Sequence, residues 1–105
     1  MSWIALFVAG LFETVWALAL KESDAFSKAG PTLVFAAAMV VSIALLAFAL
    51  RTLPVGTGYA IWTGTGAVGA ALAGIALLGE PATLGRLGPI ALIGLGIAWL
   101  ALAEQ

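Results

Sequence analysis

The sequence predicts an all-α membrane protein, a bundle of four transmembrane helices, and three observations carry that reading. Of the 105 residues, 64% are hydrophobic and only 9% are charged, where a soluble domain carries about 25% charge. Four apolar segments follow one another at about residues 3–20, 32–50, 55–78 and 87–103, each near the ~20 residues that hydrocarbon requires. The breaks between them, "KESDAFSKAGP", "RTLP" and "GEPATLGR", hold most of the charge. Because those breaks are short, consecutive helices must be antiparallel neighbours. Both termini then fall on one side, and residues 1–105 form a single domain.

Composition also excludes whole classes of function. A net charge of -1 with four basic residues offers no basic face for nucleic acid. There is no Cys and no His, so thiol chemistry, haem and zinc sites are ruled out. No cofactor, no metal site and no catalytic residue is expected, and the chain is not read as an enzyme. The first segment is not a signal peptide, because nothing basic precedes it and an acid sits within it.

That acid is Glu13, in "WIALFVAGLFETVWALAL". An ionised side chain at mid-bilayer costs roughly 2.5–3.5 kcal/mol on insertion scales, and no Lys or Arg lies in any helix interior to offset it. A protonated Glu bonded to a hydroxyl or carbonyl is one explanation. A binding site for a proton or an external cation is the other, and intramembrane acids mark such pathways. Ala9 and Gly10 lie one helical turn before Glu13, where small residues admit a second helix. Trp16 lies one turn after it and sets a π-face beside the carboxylate. Trp3 and Trp99 read as interfacial anchors; Trp16 is too deep for that role.

The second segment, "FAAAMVVSIALLAFAL", has one polar residue, Ser42. It can bond back to its own helix or reach Glu13. Pro31 and Pro54 mark the starts of helices two and three. In the third segment, "PVGTGYAIWTGTGAVGAALAG", Tyr59, Trp62, Gly66, Gly69 and Ala73 follow a 3-4-3-4 spacing and share one face. That face is aromatic at its start and bare beyond, so Tyr59 and Trp62 can stack on a cation, donate to a carboxylate, or simply pack. Seven glycines between Gly56 and Gly79 point to close helix contact or a bend. "GTGAVG" matches a dinucleotide fingerprint, but it sits mid-span with no preceding strand, so the match is rejected. In the fourth segment Pro89 is placed in the first turn, where its missing N–H costs little.

Orientation is weakly specified. Lys21, Lys28 and Arg86 face Arg51 across the membrane, three basic side chains against one, which places loops one and three in the cytoplasm by a margin of two. One copy with a single acid can hardly enclose a polar site and open it to each side in turn. Transporters place such sites between inverted halves, and a chain that inserts both ways supplies both halves itself.

"FETVWALALKESDAFSKAGP", "RTLPVGTGYAIWTGTGAVG" and "GEP" resemble the small multidrug resistance family over essentially the whole chain. Trp16, three residues after the acid, resembles that family's guanidinium-exporter subtype. The resemblance implies an antiparallel, dual-topology homodimer in the bacterial inner membrane. It implies proton-coupled export, with guanidinium and protons competing for Glu13 of both subunits. It further implies that Trp16, Ser42, Tyr59 and Trp62 line or orient the site and that helix four carries the dimer contact. Gly10, Gly66, Gly69, Gly94 and Gly96 are the close-approach positions. Gly58 and Thr65 stand where the subtype more often has Ala and an aliphatic residue, and "DAFSK" replaces a Gly-Phe-Thr loop. Alternative readings are a broad exporter of quaternary ammonium and other hydrophobic cations, one subunit of a heterodimeric transporter, and a non-transporting assembly protein. The expected partners are a second copy of the chain, the substrate cation, protons and lipid.

Overall fold

The computed structural model describes residues 1–104 and contains four α-helices: α1 Ser2–Glu22, α2 Ala29–Ala49, α3 Val55–Leu78 and α4 Leu84–Ala103. Each is long and apolar enough to cross a membrane. Even α4, with 20 residues, reaches about 30 Å at 1.5 Å per residue, the thickness of the hydrocarbon core.

The bounds of α3 coincide with those expected, but two starts differ. α2 begins at Ala29, so Pro31 occupies its first turn instead of preceding it. α4 begins at Leu84, which puts Pro89 inside the helix rather than in its first turn. The first turn of α4 closes upstream of the proline, where Arg86 and Leu87 donate to the Thr83 carbonyl at 3.0 and 2.8 Å. Pro89 then interrupts a helix already started, removing one N–H from its ladder.

The molecule is a slab of 41 × 33 × 17 Å. α1 packs on both α2 and α3, while α4 packs on α3. Two hydrogen bonds gather the termini and the second loop at one end. Ser2 bonds Thr52 through their hydroxyls, and Thr57 Oγ1 donates to Glu104 Oε1 at 2.9 Å. Loops one and three therefore share the opposite end. In loop one Asp24, Ala25 and Phe26 all have positive φ, a conformation costing roughly 1–2 kcal/mol per non-glycine residue. In loop three Gly79, at φ 70°, ends α3 in the left-handed cap that suits glycine. Arg86 pairs with Glu80 there at 2.9 Å.

Small residues let the helices close. Leu6, Ala9, Leu46, Ala49, Ile61 and Trp62 form the core where α1, α2 and α3 meet. A Cβ on Gly10 would stand 2.6 Å from Thr65 Cγ2, and one on Gly58 would stand 2.5 Å from Leu50 Cδ2. Thr65 and Gly58, two of the three departures noted above, are thus each half of a fitted pair. α4 is different: Ala101 is its only buried residue, and Gly94 and Gly96 have no neighbouring helix within reach of a Cβ.

The Gly10–Thr65 fit is testable. Gly10→Ala should destabilise the detergent-solubilised protein by about 1–3 kcal/mol, the usual cost of overpacking, and Thr65→Ala should recover part of that loss. Denaturation in SDS-containing mixed micelles measures both.

Candidate functional site

Glu13 lies half-buried on α1, on the side where α3 crosses. A Cβ at Gly66 would overlap its carboxyl group, so glycine on α3 is what leaves the carboxyl its space. The carboxylate oxygen Oε2 is buried without a hydrogen-bond partner among the described residues. The one ion pair among those residues is Arg86–Glu80, in loop three. Among the described residues no cation neutralises Glu13, and no hydroxyl satisfies Oε2. A buried polar atom left in that state costs free energy.

Trp16, one turn further along α1, is a second unsatisfied group. Its Nε1 is buried with no partner, and its ring meets Phe35 of α2 edge-on at 5.7 Å and 82°. The indole is held by packing alone.

Ser42 takes neither course expected of it. It is fully buried, donates from Oγ to the Ala9 carbonyl of α1 at 2.7 Å, and accepts the Trp62 indole N–H of α3 at 2.9 Å. One hydroxyl thus joins three helices. It bonds neither its own helix nor Glu13. Trp62 in turn has its only donor committed to Ser42, so it has no hydrogen bond to give a carboxylate. Tyr59, 54% exposed, meets the Trp62 ring at 5.3 Å and 63°.

The bare stretch of α3 does turn toward α1. Gly66 opposes Glu13, and Gly69 opposes Thr14. Thr14 was not singled out by the sequence, yet it borders the acid directly. Its hydroxyl lies 3.3 Å from the Gly10 carbonyl and 3.5 Å from that of Gly66, and its one proton can serve only one of them at a time. The sequence signal was its place beside the acid, four residues after a glycine, where a helical Thr bonds back. Gly94 and Gly96, on α4, take no part in this site.

An apolar groove of about 500 Å³ runs along the outer face of α2, between Phe35, Met39, Ile43 and Ala47. It excludes Glu13 and touches the site only through Phe35. The chemistry available at the site is that of one carboxylate with the Trp16 indole one helical turn away. That combination suits a cation that is planar or apolar at its edge, or a proton.

The family model described as Small Multidrug Resistance protein matches residues 1–102. A protein of Escherichia coli (strain K12) named Guanidinium exporter is 57% identical over 105 residues, covering all of both chains. Proteins of the same name from Citrobacter freundii and Salmonella typhimurium are each 56% identical over the same full lengths.

The Ser42 junction predicts a stability effect separable from transport chemistry. Ser42→Ala leaves the buried Trp62 N–H without an acceptor, at about 1–3 kcal/mol, and should lower resistance to denaturation in detergent accordingly. Ser42→Thr, which keeps the hydroxyl, should lose less.

Proposed function

This chain belongs to the small multidrug resistance family, and from that premise we propose that it exports guanidinium in exchange for protons, as an antiparallel homodimer in the bacterial inner membrane. The observation that carries the reading is Glu13: a membrane-embedded carboxylate with an unpartnered buried oxygen and no cation of its own chain beside it. Guanidinium is planar, permanently charged, and pairs with carboxylates through two parallel N–H···O bonds. It also stacks on aromatic faces, and the Trp16 indole lies one helical turn from the acid. The relatives named as guanidinium exporters, similar over their whole length, support the same substrate and a role in transport rather than catalysis.

In this reading Glu13 of each subunit binds either a proton or guanidinium. Trp16, Ser42, Tyr59 and Trp62 line or orient that site, Ser42 by locking Trp62 to α1. Gly10, Gly66 and Gly69 bring α3 close enough to α1 to place the carboxyl. In this reading the four helices act as one domain, and one such domain forms each half of the transporter.

A second copy follows from what one copy leaves open. α4 buries only Ala101, and Leu92, Leu95, Trp99 and Leu102 project from it at 67–78% exposure. Gly96 is exposed beside them with room for another backbone, as glycines at membrane helix interfaces have, and a Cβ at Gly94, on the half-buried face of α4, would also meet nothing. The margin of two basic residues between the faces instructs orientation too weakly to forbid either direction, so both halves of an inverted pair can come from one sequence.

Two experiments test this. The purified chain alone, in liposomes with an imposed pH gradient, should drive guanidinium uptake and move a quaternary ammonium ion poorly. Preference for the quaternary ammonium, or dependence on a second protein, would overturn the substrate or the homodimer. For topology, the chain lacks cysteine, so Ser27→Cys reports on loop one without background. An impermeant thiol reagent added outside intact cells should label part of the population, with the rest protected; uniform labelling or uniform protection would contradict dual insertion.

A further inference from the structure

Loop one has a conformation that joining two helices does not demand. Asp24, Ala25 and Phe26 have φ of 48, 60 and 68°, three successive non-glycine residues in a region that L side chains avoid. The loop is held there by a compact set of bonds. Ser23 is fully buried, donates from Oγ to the Leu20 carbonyl at 2.7 Å, and accepts the Phe26 N–H at 3.1 Å. The Ser23 carbonyl accepts from the N–H groups of Ser27 and Lys28 at 2.9 and 3.1 Å.

The product of this strain is the placement of one ring. Phe26 is turned back toward α2, where its centroid lies 5.5 Å from that of Phe35 at a tilt of 59°. Phe35 meets Trp16 edge-on at 5.7 Å. Three aromatic rings therefore run in a row from the loop to the indole one turn from Glu13. Trp16 has no hydrogen bond to fix its plane, since Nε1 is unpartnered. Its ring orientation depends on what it packs against, and the ring it meets is Phe35.

We infer that Phe26 and Phe35 are positioning residues: loop one, acting through these two rings, holds the Trp16 indole against the binding site and thereby limits how large a substituent a guanidinium cargo can carry. A strained loop suits this task because it sets a side chain firmly only while its anchoring bonds persist. Aromatic pairs favour edge-to-face and tilted geometries over others, so each ring passes an orientation to the next. The inference rests on the exporter reading above and adds to it a specificity determinant that does not touch the substrate.

The test uses the full chain in liposomes and compares initial uptake of guanidinium with that of butylguanidinium. Phe26 is 56% exposed, so Phe26→Leu puts folding at little risk. It should raise the butylguanidinium-to-guanidinium ratio several-fold, and Phe26→Tyr, which keeps the ring, should retain the wild-type ratio. Ala25→Val, a β-branched residue forced to positive φ, should unseat the same ring through the backbone and raise the ratio likewise. In a Trp16→Gly chain the Phe26→Leu change should shift the ratio no further. An unchanged ratio in both Phe26→Leu and Ala25→Val, or an equal shift with and without Trp16, overturns the inference alone. A wild-type chain that moves neither cation overturns the exporter reading and this inference with it.

Discussion

An acid held in the membrane without a cation of its own is the constraint from which the rest of the structure follows. Glu13 must be tolerated by a helix that crosses hydrocarbon, yet must stay available to something outside the chain. A fixed Lys or Arg partner would satisfy the first demand and defeat the second. The protein instead clears space around the carboxyl. Gly66 removes the side chain that would overlap it, Gly69 clears the neighbouring Thr14, and Gly10 lets Thr65 seat on α1 one turn earlier. Two of the glycines in α3, Gly66 and Gly69, expensive in helix propensity, are what crossing α1 at this depth requires.

Holding the helices together then falls to groups that carry no charge. Ser42 joins α1, α2 and α3 through a single hydroxyl, and the apolar core lies just beside it. This divides the labour. The polar junction is saturated and rigid, while Glu13 Oε2 and Trp16 Nε1, on the neighbouring turns of α1, remain unpaired. A transporter needs this contrast, because a site whose groups are all satisfied internally has nothing to offer a cargo. A cation that both pairs with carboxylates and stacks on indoles meets what is left over. In the proposed mechanism a proton meets only the carboxylate, so the two cargoes overlap at one atom group and exclude each other.

Much of this was legible in the sequence, for identifiable reasons. Hydropathy and loop charge located all four helices, and the 3-4-3-4 spacing gathered Gly66 and Gly69 on one face of α3, although which helix that face meets was not legible. The starts of α2 and α4 were misplaced because proline was taken as a boundary, whereas a helix already begun at Ala29 or Leu84 accommodates one. Ser42 was recognised as significant, but its partners are 33 and 20 residues away in sequence, and no local pattern encodes such pairings. Thr14 was passed over because a threonine beside an acid attracts less notice than the acid. The bend of loop one was invisible for a sharper reason: positive φ is ordinarily announced by glycine, and "DAFSK" contains none. Gly94 and Gly96 of α4 were read as close-approach positions, and within one chain a Cβ at either would meet nothing.

The central claim is that one carboxylate serves two cargoes by exclusion, and proton release on binding tests it most directly. Guanidinium added to detergent-solubilised protein in weakly buffered solution, at a pH where the free site is protonated, should release protons. Its affinity should weaken as pH falls through the titration of Glu13, because protons then occupy the site and must be displaced. Glu13→Gln keeps the size and loses the ionisation, so its binding-linked release should vanish. Guanidinium binding by the wild-type protein without proton release across the titration range, or release that persists in Glu13→Gln, would contradict the account.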